Sequence, residues 1–108
     1  MKIMELQQNK ILWVDDIRDP PASLQVDIAR TYDSAIKQLS QVNYDEIYLD
    51  HDLADISPDH PEKTGYDVVL WLVQRNMDGF PVPSVYHFLT ANPIGRERMK
   101  GVIARYLT

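Results

Sequence analysis

Two acidic clusters stand at the ends of two apolar runs. Ile11-Leu12-Trp13-Val14 closes on Asp15-Asp16, and Ile47-Tyr48-Leu49 closes on Asp50-His51-Asp52. Carboxylates crowded on one rim repel and raise one another's pKa unless a cation neutralises them. Hard oxygen donors of this kind suit Mg²⁺ or Mn²⁺. One Asp pair at a strand end is equally well a strand terminator or turn cap. Two pairs, each closing an apolar run, tip the balance to a metal site.

A third group follows the run Val85-Tyr86-His87-Phe88-Leu89, where Thr90-Ala91-Asn92 leads into Asn92-Pro93-Ile94-Gly95. Asn92 fits a helix cap and Pro93 the first helical position. The unpaired N–H groups of such a start, with Gly95 permitting close approach, make an anion site. Arg96 and Arg98 fall in that first turn, where positive charge opposes the helix dipole. A bound phosphate rationalises them; solvation or pairing with acidic residues is the rival explanation. His51 suits a metal ligand or a general acid/base, although strand alternation sets it opposite Asp50, where burial against a helix competes. His87, inside an apolar strand, reads as a satisfied core histidine. His60 lies between prolines and reads as solvated, while Trp13 and Trp71 read as core.

The elements that position these groups alternate strand and helix. After Asp16, Pro20-Pro21 forbids a helix. Asp27–Tyr32 reads as a second strand, and Asp33 as the cap of a helix burying Ile36, Leu39 and Val42. Residues 54–65 are polar, carry two prolines and read as a surface loop. Thr64-x-x-Asp67 resembles a capping box opening a helix with Tyr66, Val69, Leu70, Val73 and Met77 on one stripe. The last helix carries Met99, Val102, Ile103, Tyr106 and Leu107. Near-continuous apolar strands alternating with helices argue for a parallel sheet covered by helices on both faces. In such a sheet, ligands bind at the carboxyl ends of the strands, where the acidic clusters lie.

Composition narrows the classes. The chain has 108 residues, so a single domain over 1–108 is expected. With no cysteine it has no disulfide framework, iron–sulfur cluster, thiolate zinc site or thiol catalysis. A net charge of −5 is the wrong sign for a duplex nucleic acid binder that works by counterion release. The longest apolar run, Val68 to Val73, is far short of the roughly 20 residues that span a bilayer. No membrane is expected, and the absence of a signal-like opening points to the cytoplasm. Residues 1–9 show no pattern.

Asp15-Asp16 after the first strand, Asp50 after the third and Thr90 after the fourth resemble the receiver domain of response regulators. The fuller set, Trp13-Val14-Asp15-Asp16-x-Arg18-x-Pro20, Leu49-Asp50-His51-Asp52-Leu53 and Asn92-Pro93-x-Gly95 with Met99, resembles the cyclic-phosphate processing receiver-like family. That resemblance implies a reduced receiver: a three-layer flavodoxin-like α/β fold with four parallel strands in the order 2-1-3-4. The first helix and fifth strand of a full receiver are absent from it, and so is the receiver lysine. Members usually carry His-Ser ahead of the Asn-Pro, whereas Leu89-Thr90 stands there here, with His87 two places earlier.

The activity implied is a metal-dependent phosphoesterase acting on a cyclic phosphate or phosphodiester of a nucleotide. Asp15, Asp16 and Asp50 hold Mg²⁺ or Mn²⁺, and His51 or Asp52 is the general acid/base beside Asp50. Thr90, Asn92, Gly95 and Arg96 cradle the phosphate. The alternative is an atypical receiver, phosphorylated on Asp50 by a partner kinase or degenerate and used only to bind a protein.

Overall fold

The computed structural model describes residues 9–53, 63–90 and 92–107. The apolar runs form strands β1 (Ile11–Val14), β2 (Asp27–Ala29), β3 (Glu46–Leu49) and β4 (Val85–Phe88). Between and after them run helices α1 (Tyr32–Gln41), α2 (Gly65–Met77) and α3 (Pro93–Tyr106). The four strands form one sheet in the order β2-β1-β3-β4, every pairing parallel, as the sequence and the family resemblance imply.

Alternation divides the sheet into two faces. Leu12 and Val14 of β1, Ala29 of β2, and Ile47 and Leu49 of β3 join Ala35 and Leu39 of α1, Val68, Val69 and Leu72 of α2, and Met99 and Ile103 of α3 in one core. All three helices therefore pack on one face of the sheet, where the sequence suggested both. The cause is connectivity: β2 to β3 and β3 to β4 step in the same direction across the sheet, and right-handed crossovers then put both helices on one side. Only the β1–β2 connection steps the other way, and its prolines keep it from being helical.

The third layer is that Pro-rich segment itself. It closes over Trp13, which is buried and donates its indole N–H to the Arg18 carbonyl at 2.9 Å. Trp13, Tyr48 and His87 stand in register along this face. Tyr48 stacks on His87 at 4.2 Å between ring centroids, and His87 Nε2 meets Glu46 Oε1 at 3.0 Å. His87 is thus satisfied, on the face away from the helices.

Several boundaries differ from the sequence reading. β2 ends at Ala29 and α1 is capped by Thr31, not Asp33, because Thr31 and Ser34 hydrogen-bond reciprocally. In α2 the buried side is Gly65, Val68, Val69 and Leu72, whereas Leu70 and Met77 are exposed. In α3 Met99 and Ile103 are buried as expected and Tyr106 is exposed. His60 and most of the 54–65 loop lie outside the described residues. No helix among the described residues is long and apolar enough to cross a membrane.

Candidate metal centre

The ladder carries on past the last strand residues. Asp15 N–H donates to the Ala29 carbonyl at 3.2 Å and Asp50 N–H to the Val14 carbonyl at 2.9 Å. Asp15 and Asp50 therefore sit side by side, one step beyond the Val14–Leu49 pair. Following Trp13 and Tyr48 by two residues, both carboxylates fall on the same face. Asp16 completes a group in which one oxygen from each of Asp15, Asp16 and Asp50 lies within 4.8 Å of the others.

Asp15 is the best fixed of the three. Its Oδ1 accepts the N–H groups of Ile17 at 2.9 Å and Arg18 at 2.8 Å, an Asx turn that folds the chain back over the rim. Its Oδ2 is buried and has no hydrogen bond. The nearest cation is Arg18 Nη1 at 3.3 Å, an ion pair outside hydrogen-bond geometry. Orphaned buried carboxylate oxygens are costly, since desolvation is uncompensated. Asp50, also buried, has its pKa raised by burial first and by the Asp15 charge next, with Asp16 adding to it. The Asp52 N–H and the Arg18 charge pull the other way. An orphaned oxygen, a strained carboxylate and a third acid on one rim fit a hard divalent cation such as Mg²⁺ or Mn²⁺.

Two glycines set the distances around this cluster. A Cβ on Gly65 would fall on the Asp50 carbonyl oxygen, and the Gly65 N–H donates to the His51 carbonyl at 2.8 Å. The first turn of α2 is thereby pressed onto the end of β3. A Cβ on Gly95 would lie 2.5 Å from His51 Cγ, so the imidazole packs closely against the start of α3. His51 Nδ1 meets Asp52 Oδ1 at 3.0 Å. Neither His51 nor the exposed Asp52 belongs to the three-carboxylate group.

Leu89 N–H donates to the Leu49 carbonyl at 2.8 Å, which sets Thr90 beside the end of β3. The buried Thr90 hydroxyl accepts the Asn92 N–H at 3.0 Å. Asn92 caps α3 as its sequence suggests, its side-chain oxygen accepting the Gly95 N–H at 3.0 Å and its carbonyl the Arg96 N–H at 3.0 Å. The helix start is thus largely satisfied from within. Arg96 is exposed with Glu97 4.0 Å away, and Arg98 lies over the Tyr66 ring at 4.4 Å. Asn92→Ala should cost about 1 kcal/mol, the usual worth of an N-cap. Urea unfolding measures it, and a loss below a few tenths would mean that the cap contributes nothing.

Arg18 is the residue whose place the sequence alone does not reveal. It stands in the Asp15-Asp16-x-Arg18 motif, and the Asx turn brings its side chain back to Asp15. An Asp followed three residues later by Arg after an apolar run is the signal that a search for such turns would use.

A parallel sheet of order 2-1-3-4 with an acidic triad on its carboxyl rim defines a receiver domain. The sequence profile of the cyclic-phosphate processing Receiver domain matches residues 10–105, and the chain belongs to that family. No curated protein and no solved structure gives a significant match.

Proposed function

We propose that the domain is a metal-dependent phosphoesterase acting on a cyclic phosphate or phosphodiester of a nucleotide. The observation that carries the reading is the buried Asp15 Oδ2, without a hydrogen bond, on a carboxylate that groups with those of Asp16 and Asp50. A bound Mg²⁺ or Mn²⁺ would polarise a phosphoryl oxygen and acidify a bound water. The chain's own contribution is orientation and proton transfer. The Asx turn fixes Asp15, and the β1–β3 ladder holds Asp50 beside it. His51 is the proton carrier: Asp52 at Nδ1 orients the ring, which Gly95 lets pack closely against α3. Thr90, Asn92, Gly95 and Arg96, at the start of α3, are the residues that would hold the phosphate.

The test is a panel of 2′,3′- and 3′,5′-cyclic nucleotides and cyclic-phosphate-ended oligonucleotides with Mn²⁺. Turnover should vanish in chelator and fall at least about 100-fold in His51→Ala, the lower end of general acid–base contributions. A panel without turnover while Mn²⁺ binds rejects the enzyme.

The second reading is a phosphorylatable receiver, favoured by a buried threonine, Thr90, just past the end of β4, the strand beside β3 and its Asp50. A mass gain of one phosphoryl group on Asp50 with a small phosphodonor would support it.

A further inference from the structure

The turn after β1 is tied down at more points than its length requires. Asp15 Oδ1 takes the Ile17 and Arg18 N–H groups. The Arg18 carbonyl accepts the Trp13 indole at 2.9 Å and Arg30 Nη1 at 2.7 Å. Arg30 also donates to the Asp15 carbonyl at 3.1 Å and pairs with Asp19 at 2.6 Å. The Arg18 backbone is therefore fixed and its side chain is directed back over the rim. There Nη1 stands 3.3 Å from the unbonded Asp15 Oδ2 and donates to the Leu89 carbonyl at the end of β4. The guanidinium bridges the ends of β1 and β4, with β3 and Asp50 between them.

We propose that Arg18 is a built-in counter-ion of the carboxylate cluster, which competes with a divalent cation for Asp15 Oδ2 and is expelled when that cation enters. The expelled guanidinium then faces the anionic group of a ligand at the rim. The inference rests on the metal-centre reading above.

Three features of the contact favour competition over sharing. The ion pair is too misaligned to be a hydrogen bond, so Asp15 Oδ2 loses no directional bond when the guanidinium leaves, and the bond given up is the one to the Leu89 carbonyl. A small divalent cation approaches a carboxylate oxygen to about 2.1 Å with twice the charge, well inside the guanidinium's 3.3 Å. The Arg18 side chain is 49% exposed, so water receives it when it swings out. Its pinned backbone confines the movement to the side chain. Once outward, the planar fork suits a phosphate bidentately.

Calorimetric titration of Mg²⁺ into the whole protein and into Arg18→Gln, with and without inorganic phosphate, tests this. Without phosphate, Arg18→Gln should bind Mg²⁺ about fivefold more tightly, the upper end for a half-exposed ion pair. Phosphate should tighten Mg²⁺ binding in the parent and leave the variant unmoved. Arg18→Lys, which keeps the charge, should match the parent in the absence of phosphate. In the unsubstituted protein the Arg18 Nε–Hε NMR signal should shift on Mg²⁺ addition. A folded Arg18→Gln that binds Mg²⁺ no more tightly than a parent that does bind it overturns the Arg18 role alone. An Arg18 signal unmoved at saturating Mg²⁺ does the same. Absence of Mg²⁺ binding in both proteins overturns the metal centre and the counter-ion together.

Discussion

Gly65→Ala is expected to destabilise the domain by about 3 kcal/mol, at the top of the usual range for overpacking a tight site. The methyl group would fall on the Asp50 carbonyl oxygen, with the Asp50 carbonyl carbon at 2.9 Å and His51 Cα at 3.2 Å. All three are backbone atoms, so no side chain can rotate out of the way. Either α2 lifts from the end of β3, breaking the Gly65 N–H bond to the His51 carbonyl, or the Asp50–His51 peptide moves. Both displace the Asp50 carboxylate. Mg²⁺ binding should therefore fall together with stability, although Gly65 carries no functional group. Equilibrium urea unfolding gives the first quantity and calorimetry the second. A variant within about 1 kcal/mol of the parent would show that the contact relaxes freely, contrary to the close packing of such interiors.

The contact that Gly65 makes also explains what sequence patterning could not supply. The run Val68 to Val73 is apolar all round, so its period selects no buried face. Leu70 and Met77 were plausible core residues on spacing alone, yet both face outward. What sets the rotation of α2 is the contact of Gly65 with β3, a tertiary fact with no signature in the local pattern. Where a local signal decided, the structure follows it. Asn92 followed by Pro93 places the start of α3, and Thr64 donates its N–H and hydroxyl to Asp67 Oδ2 as a capping residue can. The α1 cap was misplaced at Asp33, because the local pattern does not show that Ser34 reciprocates the hydrogen bond of Thr31, the true cap.

The acidic rim was legible for a different reason. Apolar runs that end abruptly in carboxylates reveal strand termini, and the parallel order then forces those termini together. Four aspartates could gather there by that logic, but only Asp15, Asp16 and Asp50 do. Asp52 is spent on His51 and points to solvent, because alternation past the end of β3 is broken by the bend at His51. The single helical layer was hidden in the same reading. Both long crossovers step one way, and the prolines after Asp16 remove the only helix that would have covered the opposite face.

The charge at Asp50 yields the second large effect. In chelator, Asp50→Asn should be more stable than the parent by about 1 kcal/mol, the usual scale of a single-site change. Asparagine keeps the shape and still accepts the Asp52 N–H, while one of three crowded negative charges disappears. The Asp50 pKa is raised in the folded state, by burial first and then by Asp15. The native state therefore holds a proton that the unfolded chain has already released, and stability falls as pH rises from the ordinary aspartate value, about 3.9, through the raised one. Above that window the penalty is constant. Asp50→Asn should flatten the parent's decline there, which melts in chelator across that pH range can check.

With metal the order reverses. The parent should gain about 2.7 kcal/mol at a hundredfold excess of Mg²⁺ over Kd. Asp50→Asn should lose most of that gain, because a ligand charge is gone. A rim kept only as structure predicts otherwise: carboxylates held by arginines and backbone N–H groups, each a loss when removed. Asp15 does have such partners, in the Ile17 and Arg18 N–H groups and the Arg18 guanidinium. Asp50 has the Asp52 N–H and the distant Arg18 charge to set against burial and two acidic neighbours. The balance at Asp50 is thus unfavourable until a cation arrives. An Asp50→Asn protein that melts below the parent in chelator would mean that this carboxylate is already satisfied, and the metal centre would then have no driving force.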